Sequence, residues 1–109
     1  MRLFGLKTCD TCRKALKSLR DAGHEVEFID LRADGVPQGV VERFHDAFGE
    51  ELVNRRSTTW RELSDAERDD EAVPLIVAHP SVMKRPVIED DMGGLYLGWT
   101  ADVQSKLIG

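Results

Sequence analysis

The spacing of apolar positions changes in a definite order along the chain. A short apolar run, Leu3-Phe4-Gly5-Leu6, predicts a first strand over residues 2–6. Ala15, Leu16, Leu19 and Ala22 then recur at helical spacing among charged residues, which predicts a helix from about Thr11 to Ala22. Thr8 or Asp10 is available to cap it, and Gly23 is placed to end it. Val26, Phe28 and Ile29 predict a second strand over residues 25–30. Strand, crossover helix and strand together make a right-handed parallel βαβ unit.

The middle of the chain reads differently. Asp34-Gly35-Val36-Pro37 is a turn, and Pro37 opens a helix over about 38–48, with Val40, Val41, Phe44 and Phe48 on one face and Gly49 as its stop. A further short helical turn is expected over residues 50–54, and another helix start at Ser57-Thr58-Thr59. Ser64-Asp65-Ala66-Glu67 fits a capping box. Residues 70–79 hold Val73, Leu75, Ile76 and Val77, a short apolar run compatible with either a strand or a buried helix. After Pro80 the pattern returns to strand character at Val82-Met83, Pro86–Glu89 and Leu95–Leu97, with a hairpin around residues 91–94 and a closing helix over 99–108. The order is βαβ, a helical insertion at about residues 37–79, then ββα. That is the order of an α/β, thioredoxin-like fold, expected here as one domain over residues 1–109.

Composition adds limits. The 109 residues suffice for a modest single core, and 41% apolar with 32% charged is ordinary for a soluble protein. A net charge of −5 argues against a general binder of nucleic-acid backbone. No apolar run approaches the roughly 18–20 residues of a membrane span, and no signal-peptide pattern opens the chain. The expected location is cytoplasmic. The acidic stretch from Asp65 to Glu71 reads as a solvated face, and His24 and His45 as solvated helix positions. Trp60 and Trp99 read as packing residues.

The two cysteines are the concentrated chemistry. Cys9-Asp10-Thr11-Cys12 lies between the first strand and the first helix. A helix start presents free N–H groups and the positive end of the macrodipole. Both favour thiolate over thiol, so a cysteine there is a better nucleophile at neutral pH. Lys7 and Arg13 flank the pair and would lower its pKa further. In a reducing compartment such a pair serves redox or metal chemistry more often than structure. The plain alternative is two buried structural thiols. Zinc needs four ligands, and His24, His45 and His79 form no pair at zinc-binding spacing, which leaves only a site shared between chains.

Four segments carry a resemblance to a known family. They are Phe4 to Ala15 around the cysteines, Asp30 to Gly35, Asn54 to Leu63, and His79 to Val87 with its Arg85-Pro86 pair. The chain resembles the arsenate reductase/Spx/YffB (ArsC-like) family over nearly its whole length, with Asn54 to Leu63 most similar to the YffB branch and the Cys-x-x-Cys similar to the Spx branch. The resemblance implies Cys9 as nucleophile, Cys12 as its redox partner, Arg85 as an anion-contacting arginine and Pro86 as a cis-proline beside the site. Arg56 sits where the YffB-like motif has its arginine, and Lys7 flanks the nucleophile loop; both are expected to face the substrate. Family arsenate reductases resemble a three-arginine pocket, whereas this chain has Leu97-Gly98-Trp99-Thr100 in the region of the third.

The expected function is therefore a thiol–disulfide oxidoreductase. It needs no metal or organic cofactor, takes glutathione or another thiol as co-substrate, and draws on a glutaredoxin- or thioredoxin-type reductant. The alternatives are a Spx-like redox regulator that binds RNA polymerase and not DNA directly, and a true arsenate reductase.

Overall fold

The computed structural model describes all residues from Met1 to Gly109. In chain order the elements are β1 (Arg2–Gly5), α1 (Asp10–Asp21), β2 (Glu27–Asp30), α2 (Gln38–Phe48), α3 (Thr58–Glu62) and α4 (Asp65–Arg68). They continue with α5 (Ala72–Ala78), β3 (Val87–Glu89), β4 (Leu95–Leu97) and α6 (Ala101–Leu107). Short 3₁₀ turns cover Gly49–Leu52 and Pro80–Val82. The chain separates into two compact units, Met1–Asp30 with Arg85–Gly109, and Leu31–Lys84.

The first unit is a four-stranded sheet in the order β2-β1-β3-β4. β1 pairs parallel with β2, Arg2 facing Glu27 and Gly5 facing Asp30, and antiparallel with β3, Leu3 facing Ile88. β4 completes the sheet antiparallel to β3. β1 lies inside the sheet, which explains its unbroken apolar run: Leu3, Phe4, Gly5 and Leu6 are all buried. The predicted βαβ unit and the C-terminal hairpin and helix are both present, and the arrangement is a thioredoxin-like α/β fold. Cys12, Ala15 and Leu19 form the buried stripe of α1 and pack with Leu3, Val26, Ile88 and Val103 into one core cluster.

Asp90 shapes the hairpin. Its carboxylate accepts from the Met92 and Gly94 amides at 2.9 and 2.7 Å and from the Tyr96 hydroxyl at 2.9 Å. Thr100 caps α6 through its hydroxyl, which accepts from the Val103 amide at 3.2 Å. His24 departs from the expected solvated position. It is half-buried just past α1, and its ring nitrogen meets the Leu107 carbonyl at 2.8 Å, which ties the end of α1 to the end of α6.

The second unit is helical, with α2 and α5 packed against each other. Within residues 70–79, ambiguous in the sequence, Ala72–Ala78 form the helix α5. Leu75 and Ile76 are buried, and Pro74 falls in the first turn, where a missing N–H costs little. The capping box at Ser64 and Glu67 forms as predicted, and the second oxygen of Glu67 meets the His79 ring at 2.9 Å. Val82-Met83 is not a strand. The chain makes a 3₁₀ turn there and only one bridge, between Met83 and Val53. Trp60 is half-buried with the guanidinium groups of Arg55 and Arg68 over its ring, at 5.5 and 5.9 Å from the centroid. No helix of the protein is long and apolar enough to cross a membrane.

Candidate active site

Cys9 is the N-cap residue of α1, with extended backbone angles φ −87° and ψ 117°. The turn that presents it is fixed by two backbone hydrogen bonds: its amide donates to the Leu6 carbonyl at 3.0 Å, and its carbonyl accepts from the Arg13 amide at 3.1 Å. The side chain is half-buried, whereas Cys12, one turn later, is fully buried. Both cysteines are free thiols. Position alone thus divides the pair into an outer, accessible sulfur and an inner, enclosed one.

Electrostatics sharpen the division. Partial burial of Cys9 by itself raises its pKa, but the opposing contributions win and the thiol falls below its ordinary value. Those contributions are the Cys12 amide, the Cys12 thiol, and the Arg85 guanidinium, which acts both as hydrogen-bond donor and as charge. The Cys12 amide faces the Cys9 sulfur in a looser geometry than a regular capping hydrogen bond. Cys12 moves the opposite way. Burial pushes its thiol up to about 12; the Leu6 amide works against that, while the neighbouring Cys9 sulfur adds to it. At neutral pH the inner thiol keeps its proton, and the outer one is the more acidic of the two.

Arg85 stands half-buried at the entrance to β3, and the Arg85–Pro86 peptide bond is cis, as the family resemblance implies. Pro86 is buried, and its carbonyl accepts from the Gly98 amide at 2.8 Å. Gly98 is itself buried and has φ +78°, a left-handed conformation that favours glycine. The region where the arginine of a three-arginine pocket is expected is therefore backbone held against the Pro86 carbonyl.

The other expected residues are placed as follows. Lys7 is exposed in the turn between β1 and α1, and Arg13 pairs with Asp10 on the exposed face of α1. The cation acting on Cys9 is Arg85. Arg56 belongs to the helical unit, where it is exposed and its amide donates to the Asn54 side chain at 3.0 Å. There it lines an open cleft of about 650 Å³ with Arg55, Lys84, Glu50 and Glu51. No group of three or more His, Cys, Asp or Glu side chains is arranged to hold a metal ion. Sequence reasoning missed the part played by the Leu6 amide and by Gly5 around the inner thiol. The one available signal was a glycine within a strand, which often marks a close approach.

The chain is similar to several known proteins. An uncharacterized protein of Haemophilus influenzae is 37% identical over 94 residues, covering 82% of each chain. The global transcriptional regulator Spx of Bacillus subtilis is 26% identical, covering 92% of this chain and 80% of the relative. Among solved structures, a YffB protein superposes with a TM-score of 0.89 at 32% identity, covering 99% of this chain and 98% of the other. An arsenate reductase (ArsC) related protein from Brucella melitensis gives 0.71 at 35% identity, covering 96% and 90%. The ArsC family model matches residues 4–106. The chain belongs to the ArsC family.

Proposed function

We propose that the protein is a thiol–disulfide oxidoreductase with Cys9 as its nucleophile and glutathione, or another small thiol, as co-substrate. The observation that carries this is the split between the two sulfurs. One is half-exposed with a lowered pKa beside Arg85, and the other is enclosed and protonated one turn below it.

In the first step the Cys9 thiolate attacks one sulfur of a substrate disulfide. A Cys9–substrate disulfide forms, the substrate S–S bond breaks, and the leaving thiolate takes up a proton. Arg85 holds an anionic part of the substrate, for which a guanidinium fork is suited, and Pro86 shapes the wall. In the second step Cys12 gives up its proton and attacks the Cys9 sulfur, which releases the second substrate thiol and leaves a Cys9–Cys12 disulfide. The net change is two electrons to the substrate. Two equivalents of small thiol, or one dithiol protein such as a glutaredoxin or thioredoxin, return the pair to the reduced state.

Charge favours this sequence. The negative Cys9 sulfur is one of the groups that hold Cys12 protonated. Once Cys9 is in a mixed disulfide that charge is gone, and Cys12 becomes easier to ionise at the point where it must act. The Cys12→Ser variant tests the assignment. Incubated with a mixed glutathione disulfide and then examined by intact-mass measurement, it should accumulate one adduct, located at Cys9 by peptide mapping. An adduct at neither position, or at residue 12 in a Cys9→Ser protein at comparable rate, would remove Cys9 as nucleophile.

A second reading is a redox-sensing regulator that engages RNA polymerase. Its support is the Cys-x-x-Cys together with the likeness to the transcriptional regulator Spx. Redox-dependent capture of RNA polymerase without catalytic turnover would favour it.

A further inference from the structure

Gly5 ends β1, where it pairs with Asp30 of β2 and is buried. Glycine is a poor strand residue: it loses the most conformational freedom on folding and packs nothing. Backbone geometry does not require it, because Gly5 is not among the glycines of positive φ. What requires it is room. A Cβ added at Gly5 would lie 2.6 Å from the Cys12 sulfur, 3.1 Å from the Cys12 Cβ and 3.3 Å from the Leu3 Cδ2. Real Cβ atoms do not approach that sulfur distance. Cys12 is fully enclosed on a fixed helix, so its sulfur can leave that position only by turning about its one side-chain torsion.

We propose that Gly5 is a positioning residue for the cysteine pair: its missing side chain is the recess in which the reduced Cys12 sulfur sits. The inference deepens the thiol–disulfide reading and rests on it for its redox part. In the reduced protein the recess keeps the Cys12 thiol beside the Cys9 sulfur, whose pKa it helps to lower. On oxidation each thiol gives up one proton and one electron, the S–S bond forms, and the Cys12 sulfur moves to bonding distance of Cys9. A methyl group at residue 5 crowds the reduced position and bears less on the bonded one. It therefore favours the disulfide and deprives the Cys9 thiolate of a donor.

The test equilibrates wild type and Gly5→Ala with mixtures of glutathione and glutathione disulfide, then reads the oxidised fraction by alkylation and mass. Two protein thiols and one glutathione disulfide give one protein disulfide and two glutathiones. Gly5→Ala should raise that equilibrium constant about tenfold, which is roughly 30 mV toward the negative for a two-electron couple. The alkylation midpoint of Cys9 should also rise. An unchanged or lowered constant would overturn the proposal.

Melting temperatures provide an arm that does not depend on redox chemistry. They compare wild type, Gly5→Ala, Cys12→Ala and the double variant. Alanine at residue 5 should cost clearly less in the Cys12→Ala protein, from which the crowded sulfur is gone. An equal cost in both backgrounds would make Gly5 a general packing requirement and sink the recess. If Gly5→Ala alone does not fold, a folded double variant supports the recess, and an unfolded one refutes it. A wild type that forms no Cys9–Cys12 disulfide at any glutathione ratio would defeat the functional reading, while the melting comparison still decides the recess.

Discussion

Cys9→Ser is expected to abolish disulfide reduction, lowering turnover by more than about a thousandfold, a conservative figure for removal of a covalent nucleophile. The serine hydroxyl is almost the size of the thiol but stays protonated in the field that lowers the Cys9 pKa. The Cys12 amide, the Cys12 thiol and the Arg85 guanidinium lower the Cys9 pKa, yet no field of that size brings a hydroxyl into the neutral range. The same substitution should leave the fold intact. Residue 9 is an N-cap, and serine is among the best N-cap residues because its oxygen accepts from the amides of the first turn. A melting temperature equal to or above wild type, together with lost turnover of a glutathione mixed disulfide, is the expected pair of results. Substantial remaining turnover would mean that the chemistry lies elsewhere.

The second large effect is discrimination against arsenate. At neutral pH arsenate carries up to two negative charges, and bringing it beside a thiolate needs several cations because like charges repel at short range. Arg85 is at the site, but the third arginine expected of family arsenate reductases is absent. Its region holds Gly98, whose amide is bound to the Pro86 carbonyl and whose φ of +78° favours glycine over any larger residue. The loss of one charge-assisted contact costs about 1.5–3 kcal/mol, or roughly 10- to 150-fold in affinity at about 1.4 kcal/mol per decade. A disulfide is neutral at its reacting sulfur and makes no such demand. Steady-state assays with arsenate, a glutathione mixed disulfide and a peptide disulfide under one reductant should rank arsenate last by kcat/KM. Arsenate equal to or ahead of the disulfides would instead make the protein a true arsenate reductase.

The parts of the fold that were legible in the sequence are those governed by local periodicity. β1, α1 and β2 follow from the switch between apolar runs and helical spacing, and the C-terminal hairpin and helix from their turn residues. The nature of residues 70–79 was not legible, because Leu75-Ile76-Val77 suits a buried strand or a buried helix equally. What decides between them is that Val77 is 40% exposed while Leu75 and Ile76 are buried, a tertiary fact. Val82-Met83 misled because two apolar residues after a proline resemble a strand, while both are buried in a turn. At the site, the placement of the Cys-x-x-Cys at the start of α1 was legible, since the start of a helix can be read from sequence. The source of the charge acting on Cys9 was less so. Lys7 and Arg13 are near in sequence, but one is exposed and the other turned to Asp10, while Arg85 arrives through β3 from far along the chain. The room that Gly5 leaves for Cys12 depends on side-chain packing between a strand and a helix, which periodicity does not report.

The central claim is that the two thiols are split, with the pKa of Cys9 lowered and Cys12 held protonated. The most direct measurement follows iodoacetamide alkylation against pH in wild type and in Cys12→Ser, where Cys9 is the single cysteine. A lowered pKa means that alkylation of Cys9 reaches half its plateau below the unperturbed thiol value of about 8.5. Cys12 in the folded wild type, pushed up to about 12, should remain unmodified across the same range. A Cys9 midpoint at or above about 8.5, or the two cysteines titrating together, would contradict the account.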